Sequence, residues 1–408
     1  MTLKIKLFLA AVGKGAATAW SALWTFPSIL FSAFLISWGA EAAQFMMSQG
    51  LALAILAWLQ TLPEFAVEAV IAWEAGKDPA MCFVANPPEG CRSHLAVANY
   101  TGAIRLLIGL GWPMIYFVSA WARRRRGTAL APIRLDDEHC VEILGTLPPV
   151  LYFFVVWAKG NLSLGDAAVL ILMYLGYLAI LWRFPPKEEE SMADVPRVSR
   201  WAYTRPGPWR YVAIFGLFVA GGLLLYFTAH AFLESMLALA LSMGVSQFVF
   251  VQWVAPLLSE FPEKVSAFQW ARQESKADLA LMNMISSNVN QWTVLAAMIP
   301  IVFSFAHGAP AALPFDGAQR TEILLTIVQS LVAVLLLVNM RFEWWNAALL
   351  FGLWAGQFFV PDARHEFVWI YAAWAAGIVV SWIWWRPIAF RMFAHVVLGR
   401  GHHPTRPA

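Results

Sequence analysis

Two stretches of the chain place a carboxylate beside a proline inside apolar sequence: Leu62-Pro63-Glu64, and Ser259-Glu260-Phe261-Pro262-Glu263. At bilayer depth a charged side chain must face a cavity or a partner, and a proline there leaves a backbone carbonyl without its donor. Carboxylates and freed carbonyls together suit a cation. A duplicated broken helix is how many secondary transporters build a site near the membrane midplane.

The elements that must hold such groups are membrane helices. Of 408 residues, 60% are hydrophobic and 13% charged, and the mean hydropathy is +0.62; soluble chains carry about 25% charged residues. The 22 tryptophans agree, with Trp344-Trp345 and Trp384-Trp385 at ends of apolar runs, where indoles form an interfacial belt. The net charge of +3 is small and the basic residues are scattered, which argues against a nucleic-acid partner. Three cysteines without a C-x-x-C pair exclude a thiolate metal site of the usual spacing, although Cys82 and Cys91 share one short loop and can pair, with Cys140 left over. No phosphate-cradling G-x-x-x-x-G-K, catalytic triad spacing or H-E-x-x-H is present, so an enzyme is not expected. Gly401-His402-His403 belongs to a polar tail. The basic, apolar N-terminus (Lys4, Lys6, then Leu7 to Val12) lacks a cleavage site of signal-peptide type and is expected to be retained.

Apolar runs long enough to span fall near 16–40, 44–74, 94–121, 141–158, 163–182, 211–233, 235–271, 278–306, 321–340, 345–360 and 366–385, ten or eleven spans in all. The expected divisions are a first repeat over 1–184 with its core at about 44–121, a linker over 185–210 rich in proline and charge, a second repeat over 211–360 with its core at about 235–306, and an extra C-terminal helix and tail over 361–408. Lys/Arg bias places Arg123 to Arg126, the linker arginines (Arg197, Arg200, Arg205, Arg210) and Arg386, Arg391 and Arg400 on the cytoplasmic side. The Cys82/Cys91 loop and the N-terminus then face outward.

Each half holds a broken helix followed, after a loop, by a helix with an asparagine: Leu95-Ala96-Val97-Ala98-Asn99-Tyr100-Thr101-Gly102 in one, and Leu279 to Asn288 with Asn283 in the other. Five spans per half make the second copy enter from the opposite side, so the expected fold is all-α and polytopic, with two inverted five-helix repeats. These segments resemble those of the cation/calcium exchanger superfamily, related to the sodium/calcium exchangers, whose repeats read G-T-S-x-P-E and then G-N-x-x-G-S-N. The matching stretches are Leu59-Gln60-Thr61-Leu62-Pro63-Glu64 with Ala98 to Ile104, and Ala255-Pro256-Leu257-Leu258-Ser259-Glu260 with Met282 to Asn288. The resemblance implies a cation antiporter in which Glu64 and Glu260 face each other on a divalent metal. Asn99, Asn283, Thr61, Ser259, Ser287 and Asn288 would then be the neutral oxygens. Ca2+ takes six to eight oxygens, and two carboxylates match its charge. No cofactor is expected; the partners would be the bilayer and the transported Ca2+, Na+ or H+, in a bacterial inner membrane, with a homo-oligomer left open.

The chain also departs from the family. Leu59 and Ala255 replace the first glycine, hydroxyl pairs are lost, and Ala103-Ile104 is followed by Arg105, a fixed positive charge able to stand in for a bound ion. These changes favour proton coupling over sodium coupling. Glu68 lies four residues after Glu64 and Lys264 four after Glu260, which suggests an ion pair between Glu68 and Lys264 across the repeat axis. Glu263 is either a third carboxylate at the cavity or a solvated helix end, Glu41 is expected at the interface, and His230 with Glu234 is either a proton relay or a helix-end pair. Three alternatives stay open: the glutamates pair with intramembrane bases, the asparagines join helices, or the fold is a non-transporting scaffold or sensor plugged by Arg105 and Lys264. A membrane hydrolase would need a nucleophile or histidine set that the chain lacks.

Overall fold

In lipid, every backbone polar group needs an internal partner, and the apolar runs accordingly fold as helices. The computed structural model describes residues 18–46, 61–78, 91–182, 195–273, 276–382 and 387–398. The first half holds α1 (Ala22–Ala43), α2 (Leu62–Lys77), α3 (Arg92–Leu106), α4 (Trp112–Arg125), α5 (Cys140–Lys159) and α6 (Leu164–Leu181). A short helix α7 (Arg197–Tyr203) lies in the expected linker. The second half holds α8 (Trp209–Ser242), α9 (Gln247–Ser259), α10 (Phe261–Ala271), α11 (Ala277–Asn290), α12 (Ala296–His307), α13 (Gly317–Leu337) and α14 (Trp344–Phe359). Two helices follow, α15 (Arg364–Ser381) and α16 (Ile388–Leu398), where one was expected. Seven continuous helices are long and apolar enough to cross a membrane, counting Arg92–Arg125 and Ala277–His307 as one each. With α2, the broken pair α9/α10, α14 and α15, the described residues provide eleven crossing units.

The helix starts follow from local chemistry. Pro63 and Pro262 occupy the first turns of α2 and α10, where a missing N–H costs no helical bond. Glu260 ends α9 and caps α10 with φ −96° and ψ 5°, which is the break expected in the second repeat. The upstream half of the first break falls at 47–60, outside the described residues. An expected boundary at 233–235 is absent: α8 runs through Glu234 to Ser242, and the chain turns at Gly244 (φ +66°). Glu234 does not interrupt the helix because its side chain pairs with Arg92 and keeps contact with the surface. Glu41, expected at the interface, is buried and accepts from Ser199 Oγ at 3.0 Å and Ser266 Oγ at 3.3 Å. Cys91 is in a disulfide, while Cys82 lies outside the described residues.

The two halves are inverted, and short ladders record it. In the first half, β1 (Ile133–Arg134) follows α4 and β2 (Asn161–Leu162) follows α5; in the second, β3 (Leu313–Pro314) follows α12 and β4 (Arg341–Phe342) follows α13. β1 pairs antiparallel with β4, and β2 with β3. Exchanging the halves maps one ladder onto the other. The ladders lie at opposite ends of α5, so the exchange is a two-fold rotation about an axis in the membrane plane. The same operation relates the packing of α2 on α12 to that of α10 on α4, and of α3 on α13 to that of α11 on α5. Each half also carries a five-residue π-helical turn at the same place, Leu107–Gly111 and Gln291–Leu295; such turns recur at functional sites.

Close approach of α3 to α9 depends on Gly102, where any Cβ would collide with the backbone carbonyl of Gln252. Small residues at such crossings let membrane helices touch backbone to backbone. Replacing Gly102 by Ala is expected to destabilise the protein by about 1–3 kcal/mol, the usual range for overpacking, read as a lower melting temperature in detergent.

Candidate ion-binding site

Helix starts fix which residues correspond between the repeats. Aligning Pro63 with Pro262, each the second residue of its helix, pairs Glu64 with Glu263, Thr61 with Glu260 and Phe65 with Lys264. The expected equivalence of Glu64 with Glu260, and of Glu68 with Lys264, is therefore shifted by three residues. The expected x-P-E pattern is carried by Phe261-Pro262-Glu263, because only there does the proline fall in a first turn. Both Glu64 and Glu263 then sit in the first turn of an intramembrane helix, where unpaired N–H groups favour an anion.

Three carboxylates, Glu64, Glu260 and Glu263, gather with Lys264, all no more than 6% exposed and all in electrostatic reach of Glu64. Lys264 Nζ donates to Glu260 Oε2 at 2.5 Å. Gln291, on the second π turn, donates through one amide nitrogen to both Glu64 Oε1 (3.1 Å) and Glu260 Oε1 (3.0 Å). Its own oxygen accepts from Asn288 Nδ2 at 3.0 Å. Glu263 Oε1 accepts from Ser287 Oγ at 2.5 Å and from half-buried Asn283 at 3.3 Å. Across the axis, Asn99 Nδ2 donates to Glu68 Oε2 at 2.6 Å, and Tyr100 lies within electrostatic reach of Glu68 and Glu64.

The expected Glu68–Lys264 pair does not form: Lys264 is engaged by Glu260 one turn away on its own helix, and Glu68 by Asn99. Glu263, left between two alternatives, is buried at the site. Thr61 is buried at the start of α2; Ser259 is buried too, but its hydroxyl donates to Ala255 O of its own helix at 3.0 Å. Of the site residues, Gln291 and Tyr100 were not anticipated. Gln291 is a lone amide beyond the asparagine motif, although its place four residues after Ser287 and eight after Asn283 puts it on their helix face.

Arg105 lies elsewhere. Its guanidinium donates to Glu322 Oε2 at 2.5 Å and to Gln357 Oε1 at 3.2 Å, and stands 5.2 Å from the Trp253 ring centroid. Glu322 also pairs with Arg364 and accepts from Gln252 at 2.9 Å. Gln357 in turn donates to Gln329 and Tyr371, both at 3.1 Å. Arg105 thus serves a second buried network joining α3, α9, α13, α14 and α15, and it does not plug the glutamate cluster. No spacing in the sequence links these residues, which lie 217 positions apart at the Arg105–Glu322 pair. His230 is exposed, and Glu234 takes Arg92 as its partner, the helix-end alternative.

Chemically, the cluster is an acid site whose oxygens are met by an ammonium, amides and a hydroxyl. Among the described residues no three His, Cys, Asp or Glu side chains converge as a ready metal set. Among the buried oxygens without a hydrogen-bond partner are four carboxylate and amide acceptors of this cluster: Glu64 Oε2, Glu68 Oε1, Asn99 Oδ1 and Asn288 Oδ1. Buried acceptors are ordinarily satisfied, and oxygens of these types are the ligands a hard cation takes.

Comparison with known proteins agrees with this architecture. The family model described as sodium/calcium exchanger protein matches residues 17–183 and 213–360, and the chain belongs to that family. Among solved structures, the H+/Ca2+ exchanger CAX is 32% identical over 97% of this chain and 96% of its own, with a TM-score of 0.84. The sodium-calcium exchanger NCX_Mj (18% identity, 83% of this chain and 96% of that one, TM-score 0.52) and YfkE (17%, 88% and 92%, 0.53) share the fold. No curated protein matches the chain by sequence.

Two substitutions separate the networks. Gln291→Leu, which installs the residue found at the corresponding π-turn position Leu107, removes the donor shared by Glu64 and Glu260 and should cost about 1–3 kcal/mol, seen as a lowered melting temperature. Arg105→Met takes from buried Glu322 one of its two guanidinium partners, leaving Arg364 and Gln252, and should cost about 1–3 kcal/mol; Arg105→Met with Glu322→Met should recover part of that loss in the same measurement.

Proposed function

We propose that the chain is an antiporter that exchanges Ca2+ for H+ across a bacterial inner membrane, without enzymatic activity. The observation that carries this reading is the pair of first-turn glutamates, Glu64 and Glu263, on two proline-started helices related by the exchange of halves. Glu64 and Glu263 hold the cargo. Asn99, Asn283, Ser287 and Asn288 surround it with neutral oxygens, and Pro262 leaves the Leu258 carbonyl without its i+4 donor. The likeness to an H+/Ca2+ exchanger over nearly the whole chain supports protons as the counter-ion. The family's two repeats correspond to 1–184 and 211–360, joined by the linker 185–210 and followed by the C-terminal helices.

Exchange at one site follows from competition. A carboxylate binds Ca2+ deprotonated or carries a proton, and the cargo must displace the protein donors now on Glu263. Alternating access is assigned to α1 and α8, which pack along each other at Gly39 and Gly221. They border α2 through an apolar crevice of about 350 Å³ lined by Ile36, Leu62, Phe65, Ala66, Phe218 and Leu225. Sliding of the pair along this apolar border, with Glu41–Ser266 and Glu234–Arg92 exchanged or broken as it moves, exposes the glutamates to one side at a time.

Uptake of radioactive Ca2+ into proteoliposomes tests this. Acid inside should drive uptake, acid on the Ca2+ side should inhibit it because protons occupy the same carboxylates, and Glu64→Gln or Glu263→Gln should each lower the rate more than tenfold. Uptake driven by a Na+ gradient alone would replace protons with sodium as counter-ion. Rates unchanged in both variants would remove the site.

A further inference from the structure

The second repeat carries a charge pair where the first carries none. In the register set by the helix starts, Glu260 and Lys264 stand where Thr61 and Phe65 stand in the first repeat. Both charged side chains are buried, at 2% and 6% exposure. Ion pairs of this kind are expensive in a membrane interior. The fold does not require this one, because α2 also starts with a proline as its second residue and carries Thr61 and Phe65 in these places.

The pair has a definite relation to the cargo carboxylates. Lys264 holds one oxygen of Glu260, and Gln291 joins the other oxygen to Glu64. Glu263, next to Lys264 in the chain, is in electrostatic reach of both partners. Glu64, Glu260, Glu263 and Lys264 together carry a formal charge of −2; Glu68, one turn further along α2, is held by Asn99 and is not among the charges that act on Glu64. With Glu260 cancelled by Lys264, the charge left for cargo is that of Glu64 and Glu263, which one divalent cation balances.

We propose that Lys264 is a tethered counter-cation that takes Glu260 out of the cargo's ligand set and fixes the charge of the site at that of a single divalent ion. Lys264 is thus a specificity-determining residue. Removing its charge alone turns Glu260 into a third anionic ligand. Removing Glu260 alone leaves an unpaired ammonium beside the cargo. Removing both rebuilds the uncharged arrangement of the first repeat.

The inference rests on the cation-exchange reading of the same site, and the experiment separates the two. Ca2+ binding to the purified full chain is measured by titration calorimetry at fixed pH for the wild type and for E64Q, E260T, K264Q and E260T/K264F. The expected results are at least tenfold weaker binding in E260T, at least tenfold tighter binding in K264Q, and return to within about threefold of wild type in E260T/K264F. A double variant as weak as E260T would make Glu260 a ligand in its own right, and K264Q with wild-type affinity would remove the role of Lys264; either overturns the proposal while leaving the exchanger reading in place. A wild type that binds no Ca2+, or binds it as tightly after E64Q, overturns the exchanger reading itself. Should E260T/K264F not yield folded protein, the closer-shaped E260Q/K264M decides the same question.

Discussion

The structure turns on two helices that begin inside the membrane. A helix start exposes N–H groups with no intrahelical partner, and in lipid such a start is tolerable only where polar groups collect around it. Pro63 and Pro262 each remove one of those orphan donors, and Glu64 and Glu263 place a carboxylate in the first turn. The polar side chains of the glutamate cluster answer to these two starts. Asn283 and Ser287 meet Glu263, Gln291 meets Glu64, and Asn99 meets Glu68 one turn further along α2. Because the halves are inverted, the two starts approach from opposite sides of the bilayer, and neither repeat can form the site without the other.

Much of this was legible in the sequence, for identifiable reasons. Hydropathy and length located the crossing helices, since lipid imposes a minimum apolar run. The odd number of spans per half gave the inversion, which the exchanged pairing of β1 with β4 and β2 with β3 records independently. The residues brought to the site were nearly all named from motif resemblance. What failed was register. The second-repeat motif was placed on Ala255 to Glu260, with Ser259 in the proline's position. Pro262 in the first turn of α10 moves it three residues on, to the Pro262-Glu263 pair that also fits x-P-E.

Two further features were beyond the sequence. Gln291 stands on the helix face of Asn283 and Ser287, eight and four residues on, but no motif marked an amide there as a partner of Glu64 and Glu260. Arg105 reads from the sequence as a charge next to the site, being six residues after Asn99. Its direction on α3 is set by partners far along the chain, Glu322 on α13 and Gln357 on α14, so its true surroundings depend on tertiary packing. A buried arginine needs several acceptors at once, and it went where they were.

The distribution of polar bonds also divides the molecule into parts of different stiffness. The second network, Arg105 with Glu322, Arg364, Gln252, Gln329, Gln357 and Tyr371, ties five helices together through directional, charge-assisted bonds that lose much of their strength when lengthened. Helices joined in this way move as one body or not at all. The α1–α8 pair is bound internally by Thr25 with Ser235 at 2.7 Å and Ser32 with the Gly221 carbonyl at 2.8 Å, while its border with α2 is an apolar crevice. That border is lined by apolar side chains, so sliding along it breaks no hydrogen bond within it. On the exchange proposed here, a charge network that holds the scaffold rigid, set apart from the glutamate cluster, would allow the site to keep its geometry while access to it changes. Had Arg105 entered the glutamate cluster, the same residue would have had to serve both stiffness and exchange; its commitment to Glu322 keeps those two demands on separate side chains.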